Sequence, residues 1–180
     1  MAVKVAVNGF GRIGRLVVRE ALGRTDMEIV AINDLGSAVS NAHLFKYDTV
    51  HGKYAGDVEA RDGSLIINGR EILYTQEKDP EKLPWKERGV QVVVEGTGVF
   101  RSKARAGKHL QAGADKVLIT APGEDVDLTM VMGVNHQKYK PEYSIISNAS
   151  CTTNCLAPVA KVLLEEFGLV KGLMNTVHSY

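Results

Sequence analysis

The sequence predicts an α/β protein built on a doubly wound, mostly parallel sheet, and three observations support this prediction. Short runs of apolar, β-branched residues alternate with helical patterns, which is typical of parallel strands covered by helices on both faces. A glycine-rich turn, Gly9-Phe10-Gly11-Arg12-Ile13-Gly14, follows the first apolar run, and Asp34 ends the second. This order of strand, glycine turn, helix, strand and acid is typical of a Rossmann-type dinucleotide-binding unit.

The first half of the chain alternates strands with helices before one change of pattern. Valine and isoleucine dominate the predicted strands, whereas apolar residues three and four apart mark the helices. In chain order these elements are a strand at 3–7, a helix at 12–22, a strand at 28–32 and a helix at 40–47. Asn68-Gly69 then separates two strand-like runs, at 64–68 and 70–74, which predicts a hairpin. We therefore expect an antiparallel insertion within residues 51–77.

The second half returns to the parallel pattern and ends in a long helix. Its predicted elements are a strand at 90–95, a helix at 102–112, strands at 116–120, 128–132 and 144–146, and a helix at 152–167. Pro158 lies within the last helix and cannot donate to the carbonyl of Asn154, so a kink is expected there. We assign residues 1–150 to a dinucleotide-binding domain and 151–180 to the start of a second, catalytic α+β domain.

The composition limits the classes of partner and the compartment. The 180 residues include 22 basic and 21 acidic side chains, a net charge of +1, so nucleic acid is not expected as the main partner. No apolar run approaches membrane-spanning length, and the first strand begins at residue 3, so neither a membrane nor a secretory signal is expected. Two cysteines four residues apart do not form a disulfide framework, which favours the reducing cytoplasm.

The glycine turn is the predicted phosphate site. Gly9 permits the tight turn, Gly11 permits close approach of a pyrophosphate, and Gly14 lets the helix pack on the strand. The pyrophosphate would then lie at the helix N-terminus, near Arg12 and Ile13.

Asp34 bears on the choice of cofactor. Its carboxylate can accept hydrogen bonds from both hydroxyls of an adenosine ribose, whereas a 2′-phosphate would meet a like charge. Leu35 follows and offers no positive charge to a phosphate, so NAD is favoured over NADP. The loops at 95–98 and 120–122 also follow strands and are candidates to line the same site, but plain turns would look much the same.

Cys151 is the candidate nucleophile. A polar run leads into it and a predicted helix follows, so its thiol lies where free amide groups and the helix dipole favour the thiolate. His178 ends a mostly apolar segment, predicted to be a strand, and an imidazole paired with Cys151 would supply a base. Cys155 is predicted to be buried and inert. The remaining histidines are interpreted as surface or structural residues, and the cysteine spacing does not favour zinc; these histidines are His43, His51, His109 and His136.

Several short segments match the pattern of a known enzyme family. They are Asn8-Gly9-Phe10-Gly11-Arg12-Ile13-Gly14-Arg15, Ala31-Ile32-Asn33-Asp34, Lys46-Tyr47-Asp48, Leu83-Pro84-Trp85, Thr97-Gly98-Val99-Phe100, His109-Leu110-Gln111-Ala112-Gly113-Ala114, residues 147–158 and Thr176-Val177-His178-Ser179-Tyr180. The last two are the most specific. On these segments the whole chain resembles the phosphorylating glyceraldehyde-3-phosphate dehydrogenases.

The resemblance implies a role for each matching residue. Cys151 would be the nucleophile and His178 the base, with phosphate held at Ser150 and Thr152. The implied cofactor contacts are Arg12, Ile13, Asp34, Lys78, Thr97 and Thr120. In this chemistry the thiolate attacks the aldehyde of D-glyceraldehyde 3-phosphate, hydride passes to NAD, and inorganic phosphate releases the thioester as 1,3-bisphosphoglycerate. The resemblance also implies a glycolytic enzyme that assembles as a homotetramer.

Two features depart from the family pattern. Gly96 stands where many bacterial and animal members have a small polar residue; this version resembles cyanobacterial and chloroplast enzymes, some of which use NADP. Those typically have threonine where this chain has Leu35, so NAD is retained and dual use stays open. Family members are roughly twice as long, beyond the usual size of one domain, so the chain is expected to be an N-terminal half. The residues that bind substrate phosphate are then expected beyond it.

Two other functions remain open at this point. Erythrose-4-phosphate dehydrogenase shares the fold, the cysteine and the histidine. A non-catalytic NAD-binding module is the alternative from a different class, and an exposed apolar face would favour it.

Overall fold

The computed structural model describes residues 2–178, and within them nine strands form one sheet. The strands are β1 (Val3–Asn8), β2 (Met27–Asn33), β3 (Val58–Arg61), β4 (Ser64–Ile67), β5 (Arg70–Thr75), β6 (Val92–Glu95), β7 (Lys116–Ile119), β8 (Leu128–Thr129) and β9 (Ile145–Ser147). The helices are α1 (Arg12–Ala21), α2 (Ala38–Lys46), α3 (Trp85–Arg88), α4 (Lys103–Ala106), α5 (Lys108–Gln111) and α6 (Cys151–Phe167). Short 3₁₀ turns lie at Pro80–Lys82 and His136–Lys138.

The strand order confirms the predicted doubly wound sheet. It is β3-β4-β5-β2-β1-β6-β7-β9-β8, and every pairing from β5 to β8 is parallel. The chain builds outward from β1 through β2 and β5, and then returns to the other side of β1 at β6. The carboxyl ends of β1 and β6 therefore flank a topological switch point, where open α/β sheets bind their ligands.

The hairpin forms where the sequence predicts it. Asn68 and Gly69 join β4 to β5 with φ angles of 52° and 75°, which are the left-handed conformations that a type I′ turn needs. The predicted insertion is correct only for β3 and β4, because β5 also pairs in parallel with β2 and so belongs to the main sheet. Strand β3 was not predicted from the sequence; its four residues pair with β4 at the sheet edge.

The sheet is covered on both faces by apolar packing, as a doubly wound fold requires. Val5 and Val7 of β1 belong to one buried cluster, which also holds Phe10 and Phe45 in stacked contact with ring centroids 5.8 Å apart. Ala6, between the two valines, belongs to the cluster on the opposite face, around Trp85. The alternation along β1 thus divides the core into two layers.

Three predictions about single elements have different outcomes in the structure. The helix predicted at 102–112 is divided at Gly107 into α4 and α5. Helix α6 continues without interruption through Pro158, so the expected kink stays a prediction. Within the described residues 169–178 there is no strand, so the strand predicted before His178 is wrong. A strand requires a hydrogen-bonding partner, and no described strand pairs with this segment.

Among residues 2–178, no helix is both long enough and apolar enough to cross a membrane.

Candidate functional site

A cleft of about 510 Å³ opens at the switch point of the sheet. Five of the predicted cofactor residues line it, namely Gly9, Gly11, Asp34, Lys78 and Thr97. Its volume lies within the range of small-molecule and cofactor sites. The four other predicted residues are not among those that line the cleft; they are Arg12, Ile13, Gly14 and Thr120.

The glycine turn forms one wall of the cleft through very close packing. Gly9 has a φ of +91°, and a Cβ atom added to it would lie 2.6 Å from the Thr97 amide nitrogen. A Cβ on Gly14 would lie 2.1 Å from the Gly9 carbonyl oxygen, so α1 rests directly on the turn. At Gly11, by contrast, no described atom outside the adjoining residues of the chain lies within 4 Å of the added Cβ. The open space beside Gly11 fits the close approach of a pyrophosphate.

The first turn of α1 adds donors to the same wall. Arg12 and Ile13 are exposed there, and no described side chain caps the helix at Gly11. Uncapped amide groups at a helix N-terminus favour anions. Together with the space beside Gly11, they fit the phosphates of a dinucleotide.

Asp34 is fixed at the rim by three donors. The Phe10 amide donates to Oδ2 at 2.8 Å, while the Gly36 amide and Asn41 Nδ2 donate to Oδ1 at 2.8 and 3.0 Å. Asn41 also donates to the hydroxyl of Tyr74, whose pKa is raised by burial. This arrangement holds the carboxylate in one orientation and leaves acceptor capacity on Oδ2 for a ribose hydroxyl.

The opposite wall follows β6. Thr97 is exposed, but its amide donates to Glu95 Oε1 at 2.8 Å and its hydroxyl donates to the same oxygen. Thr120, after β7, donates from its amide and its hydroxyl to the Glu95 carbonyl at 3.0 and 3.2 Å. Lys78 is exposed on the cleft margin. The residues present therefore fit a dinucleotide.

The buried polar residues beneath the cleft were not among the predicted site residues. Asn8, Asn33 and Glu95 each end a strand, and each is at most 4% exposed. A polar residue at the end of each of three otherwise apolar strands was the signal that could have found them. His109 joins this group, and it is fully buried with both ring nitrogens hydrogen-bonded, which confirms its interpretation as a structural histidine.

The thiol site begins where β9 ends. Cys151 is exposed at the first residue of α6, as predicted, and Ser150 caps this helix by accepting from the Thr153 amide at 2.9 Å. The preceding Ala149 is 4% exposed and has a φ of +58°. This left-handed conformation costs a non-glycine residue about 1–2 kcal/mol, so the surrounding loop must hold it.

Asn154 supplies part of that hold. Its side-chain amide donates to the carbonyls of Asn148 and Ser150 at 2.7 and 2.9 Å, which ties the first turn of α6 back to the loop before it. The position of Cys151 is therefore set by a capped helix and a braced loop.

The structure brings His178 to the same helix end without a direct contact to the thiol. Its Nε2 lies 3.3 Å from the hydroxyl of Thr152 and 3.2 Å from that of Thr176. Within the described residues, no hydrogen bond joins Cys151 and His178.

Cys155 is exposed, so its predicted burial is wrong. The reason is that α6, all of which is described, buries none of its residues.

Among residues 2–178, no group of three or more histidine, cysteine, aspartate or glutamate side chains is placed to hold an ion.

Comparison with known proteins identifies the family. The family model "Glyceraldehyde 3-phosphate dehydrogenase, NAD binding domain" matches residues 3–103, and "Glyceraldehyde 3-phosphate dehydrogenase, C-terminal domain" matches residues 150–180. The chain is 58% identical over its whole length to glyceraldehyde-3-phosphate dehydrogenase of Geobacillus stearothermophilus and covers 54% of that relative. It is 57% identical to the Thermotoga maritima enzyme and 56% identical to the cytosolic enzyme of Trypanosoma brucei brucei, over 98% and 99% of this chain and 54% of each relative.

The matches agree with the geometry of the cleft. The chain spans about half the length of the curated relatives it matches. The NAD-binding match covers the glycine turn, Asp34 and Thr97, and NAD is the cofactor that it names. The chain therefore belongs to the glyceraldehyde 3-phosphate dehydrogenase family.

Proposed function

We propose that this chain is the cofactor-binding and thiol-bearing part of an enzyme that oxidises D-glyceraldehyde 3-phosphate to 1,3-bisphosphoglycerate with NAD and inorganic phosphate. One observation carries the proposal. The dinucleotide cleft and the exposed Cys151 thiol both follow the carboxyl ends of parallel strands, so they lie along the same edge of the sheet. A bound nicotinamide and an aldehyde held on Cys151 can then meet at that edge.

Each step of the proposed reaction is assigned to a particular residue of the chain. The Cys151 thiolate, favoured at the start of α6, attacks the aldehyde carbon to form a hemithioacetal. His178 accepts the proton of its hydroxyl as the carbonyl re-forms. NAD, when bound, supplies the hydride acceptor. The resulting Cys151 thioester is attacked by a phosphate oxygen, and the thiolate leaves.

Ser150 and Thr152 are proposed to hold the phosphate. Their hydroxyls flank Cys151, and Thr152 also lies within 3.3 Å of His178 Nε2. The hydroxyl of Ser150 accepts from the Thr153 amide and lies 2.8 Å from the Thr153 hydroxyl. The cap uses Ser150 only as an acceptor, so a phosphate oxygen would compete with the Thr153 hydroxyl for the hydroxyl proton of Ser150 and leave the cap intact.

The cofactor contacts are proposed as predicted, at Gly9, Gly11, Arg12, Ile13, Gly14, Asp34, Lys78, Thr97 and Thr120. We propose the division between the cofactor and catalytic domains at residue 150, because the last strand of the sheet ends just before it.

We also propose the cytoplasm as the compartment and a homotetramer as the whole enzyme's assembly. Both cysteines are free thiols, and one relative is named as cytosolic.

A non-catalytic NAD-binding module is the second candidate, and the uncovered face of α6 is the observation that favours it. Leu163 and Phe167 are 43% and 81% exposed on this helix. A module of this kind would bind NAD and use the apolar face for a partner.

The test is trapping of the thioester. The chain is incubated with NAD and D-glyceraldehyde 3-phosphate in the absence of phosphate, and its peptides are examined by mass spectrometry. We expect a phosphoglyceroyl adduct on Cys151 and none in Cys151→Ser. Binding of NAD without an adduct would favour the module, whereas failure to bind NAD would contradict both candidates.

A further inference from the structure

A continuous row of buried polar side chains runs beneath the cleft. Asn33, Asn8, Glu95 and His109 are 4%, 2%, 1% and 0% exposed. The first three end the neighbouring strands β2, β1 and β6, and the fourth lies on α5. Polar groups at this depth are costly unless they are hydrogen-bonded, so their arrangement calls for an explanation.

Glu95 is the centre of this row and accepts from four donors. Oε1 takes the amide and the hydroxyl of Thr97, and Oε2 takes Asn8 Nδ2 at 2.6 Å and His109 Nε2 at 2.9 Å. An ionised carboxylate, which accepts at both oxygens, can satisfy all four of these donors at once. Hydrogen-bond donors, rather than a cation, thus stabilise the negative charge of Glu95. Replacing this carboxylate with a group that cannot accept would leave several of the donors without an acceptor.

His109 fixes the orientation of that carboxylate. Trp85 Nε1 donates to His109 Nδ1 at 3.0 Å, so Nδ1 is an acceptor and the ring proton resides on Nε2. The imidazole is therefore neutral, and it donates to Glu95. Packing of the buried Trp85 against the ring, with centroids 6.2 Å apart, leaves it little freedom to rotate.

Asn8 and Asn33 extend this row of hydrogen bonds from β1 to β2. Asn33 Nδ2 donates to Asn8 Oδ1 at 2.7 Å and to the Glu77 carbonyl at 2.9 Å. Asn33 Oδ1 accepts from the hydroxyl of Thr75 and from the Glu77 amide. Each amide group is thereby oriented by its neighbours, and the row is satisfied from Thr75 to Trp85.

The hydrogen bonds of this buried row reach the wall of the cleft at Thr97. Thr97 lines the cleft, and its amide and hydroxyl are held by Glu95. Gly9, the other wall, approaches Thr97 so closely that a Cβ would lie 2.6 Å from its amide nitrogen. A change in the Glu95 rotamer would therefore alter the distance between the two walls.

We propose that Glu95 and His109 are positioning residues for the dinucleotide, which hold the Thr97 loop against the Gly9 turn in the geometry that admits it. The proposal rests on the proposed NAD site and adds residues that do not touch the cofactor. A purely structural role for the same residues would lower the stability of the fold but leave the affinity of the folded protein unchanged.

Paired variants of His109 separate these roles. His109→Gln keeps a donor close to the position of Nε2, whereas His109→Leu removes it, and both variants deprive Trp85 of its acceptor. NAD affinity is measured by calorimetry at a temperature where circular dichroism shows each variant folded. We expect the dissociation constant to rise about tenfold or more in His109→Leu and in Glu95→Gln, since a hydrogen bond to a charged group is lost or reversed. His109→Gln should stay within about threefold of the wild type.

The control and a second measurement keep the outcomes distinct. Glu71→Gln changes the charge equally at an exposed site on β5 and should leave affinity unchanged. Amide exchange of Thr97, followed by NMR without NAD, should accelerate in Glu95→Gln and His109→Leu but not in His109→Gln. Unchanged affinity and exchange in the folded variants would overturn the proposal, as would equal effects of His109→Gln and His109→Leu. If the wild type does not bind NAD, the cofactor assignment fails, and the exchange measurement still decides whether Glu95 and His109 hold the loop.

Discussion

At the scale of single residues, a turn and a loop together orient Asp34, the residue proposed to select the cofactor. Its carboxylate is oriented by the amides of Phe10 and Gly36, one from the glycine turn and one from the loop after β2. A fixed carboxylate discriminates better than a mobile one, because it cannot turn away from a second negative charge.

We therefore predict that the chain binds NAD more tightly than NADP by about 1–3 kcal/mol, the cost of an unmade charge-assisted hydrogen bond. Asp34→Ala should lose most of this preference. Titration calorimetry with both cofactors measures it, and Asp115→Ala, an exposed carboxylate before β7, is the matched control. Equal affinity of the wild type for the two cofactors would remove Asp34 from its assigned role.

The two thiols allow a second prediction at this scale. Cys151 and Cys155 are both exposed, so accessibility alone would make them react alike. Only Cys151 lies in the first turn of α6, where free amide groups and the helix dipole stabilise negative charge. We expect iodoacetamide at neutral pH to modify Cys151 several-fold faster, as followed by mass spectrometry of the peptides.

His178→Ala provides the associated variant. It should slow modification of Cys151 if the imidazole supports the thiolate, and it should leave Cys155 unaffected. Equal rates for the two thiols in the wild type would contradict an activated Cys151.

At the scale of elements, Asp127 joins α4 to the start of β9. Its carboxylate accepts from Lys103 Nζ at 2.5 Å, and from the amides of Ser144 and Ile145 at 2.9 Å each. The hydrogen bond from Lys103, followed by those from the backbone, holds the pKa of Asp127 below its ordinary value. The connection between a helix and the strand that leads to Cys151 thus depends on an ionised group.

The sign of the pH dependence follows from that direction. A carboxyl whose pKa is lower in the folded state stabilises the fold above its unfolded pKa, near 4, and loses this contribution as the pH falls further. We predict that Asp127→Asn lowers the urea midpoint at pH 7, and that the difference from the wild type shrinks below about pH 4. Glu142→Gln, an exposed change, is the control. A difference that persists unchanged at pH 3 would exclude this role for the Asp127 charge.

The elements were predictable where local chemistry alone determines them. The first strand, the glycine turn and the Asn68-Gly69 hairpin depend on residues close together in sequence, and the structure has all three. The exposure of Cys155 and the missing strand before His178 depend instead on what packs against them. Periodicity shows that an apolar face exists, but it does not show whether a partner covers it.

The candidate site divides in the same way. The residues that would touch the dinucleotide carry a sequence signature, because their spacing follows from the ligand. Glu95 carries only the signal of a polar residue that ends an apolar strand. Its pairing with His109 carries none, since the two residues are fourteen apart and meet only when β6 and α5 pack together.

At the scale of the whole molecule, the chain combines a well-covered sheet with an uncovered helix. Leu164 and Phe167 of α6 are 56% and 81% exposed, and Val170 and Leu173 beyond it are almost fully exposed. An apolar surface of this kind favours association.

We predict concentration-dependent association of this chain alone, without the stable tetramer proposed for the whole enzyme. Leu164→Glu combined with Phe167→Lys should reduce the association seen by light scattering and leave NAD affinity unchanged, because neither position lines the cleft. Val50→Lys, at a loop residue that is 75% exposed, is the matched control. A monodisperse tetramer of this chain would contradict the prediction.

The close packing of Gly14 and the open space beside Gly11 have a consequence for mutational tolerance. A library selected only for soluble expression would reject side chains at Gly14, where a Cβ meets a carbonyl, and accept them at Gly11, where it meets none of the described atoms. A library selected for cofactor capture would reject both. The two glycines of one short turn would therefore be required for different reasons, Gly14 for folding and Gly11 for binding the cofactor. Comparing the two libraries would distinguish these requirements at each position.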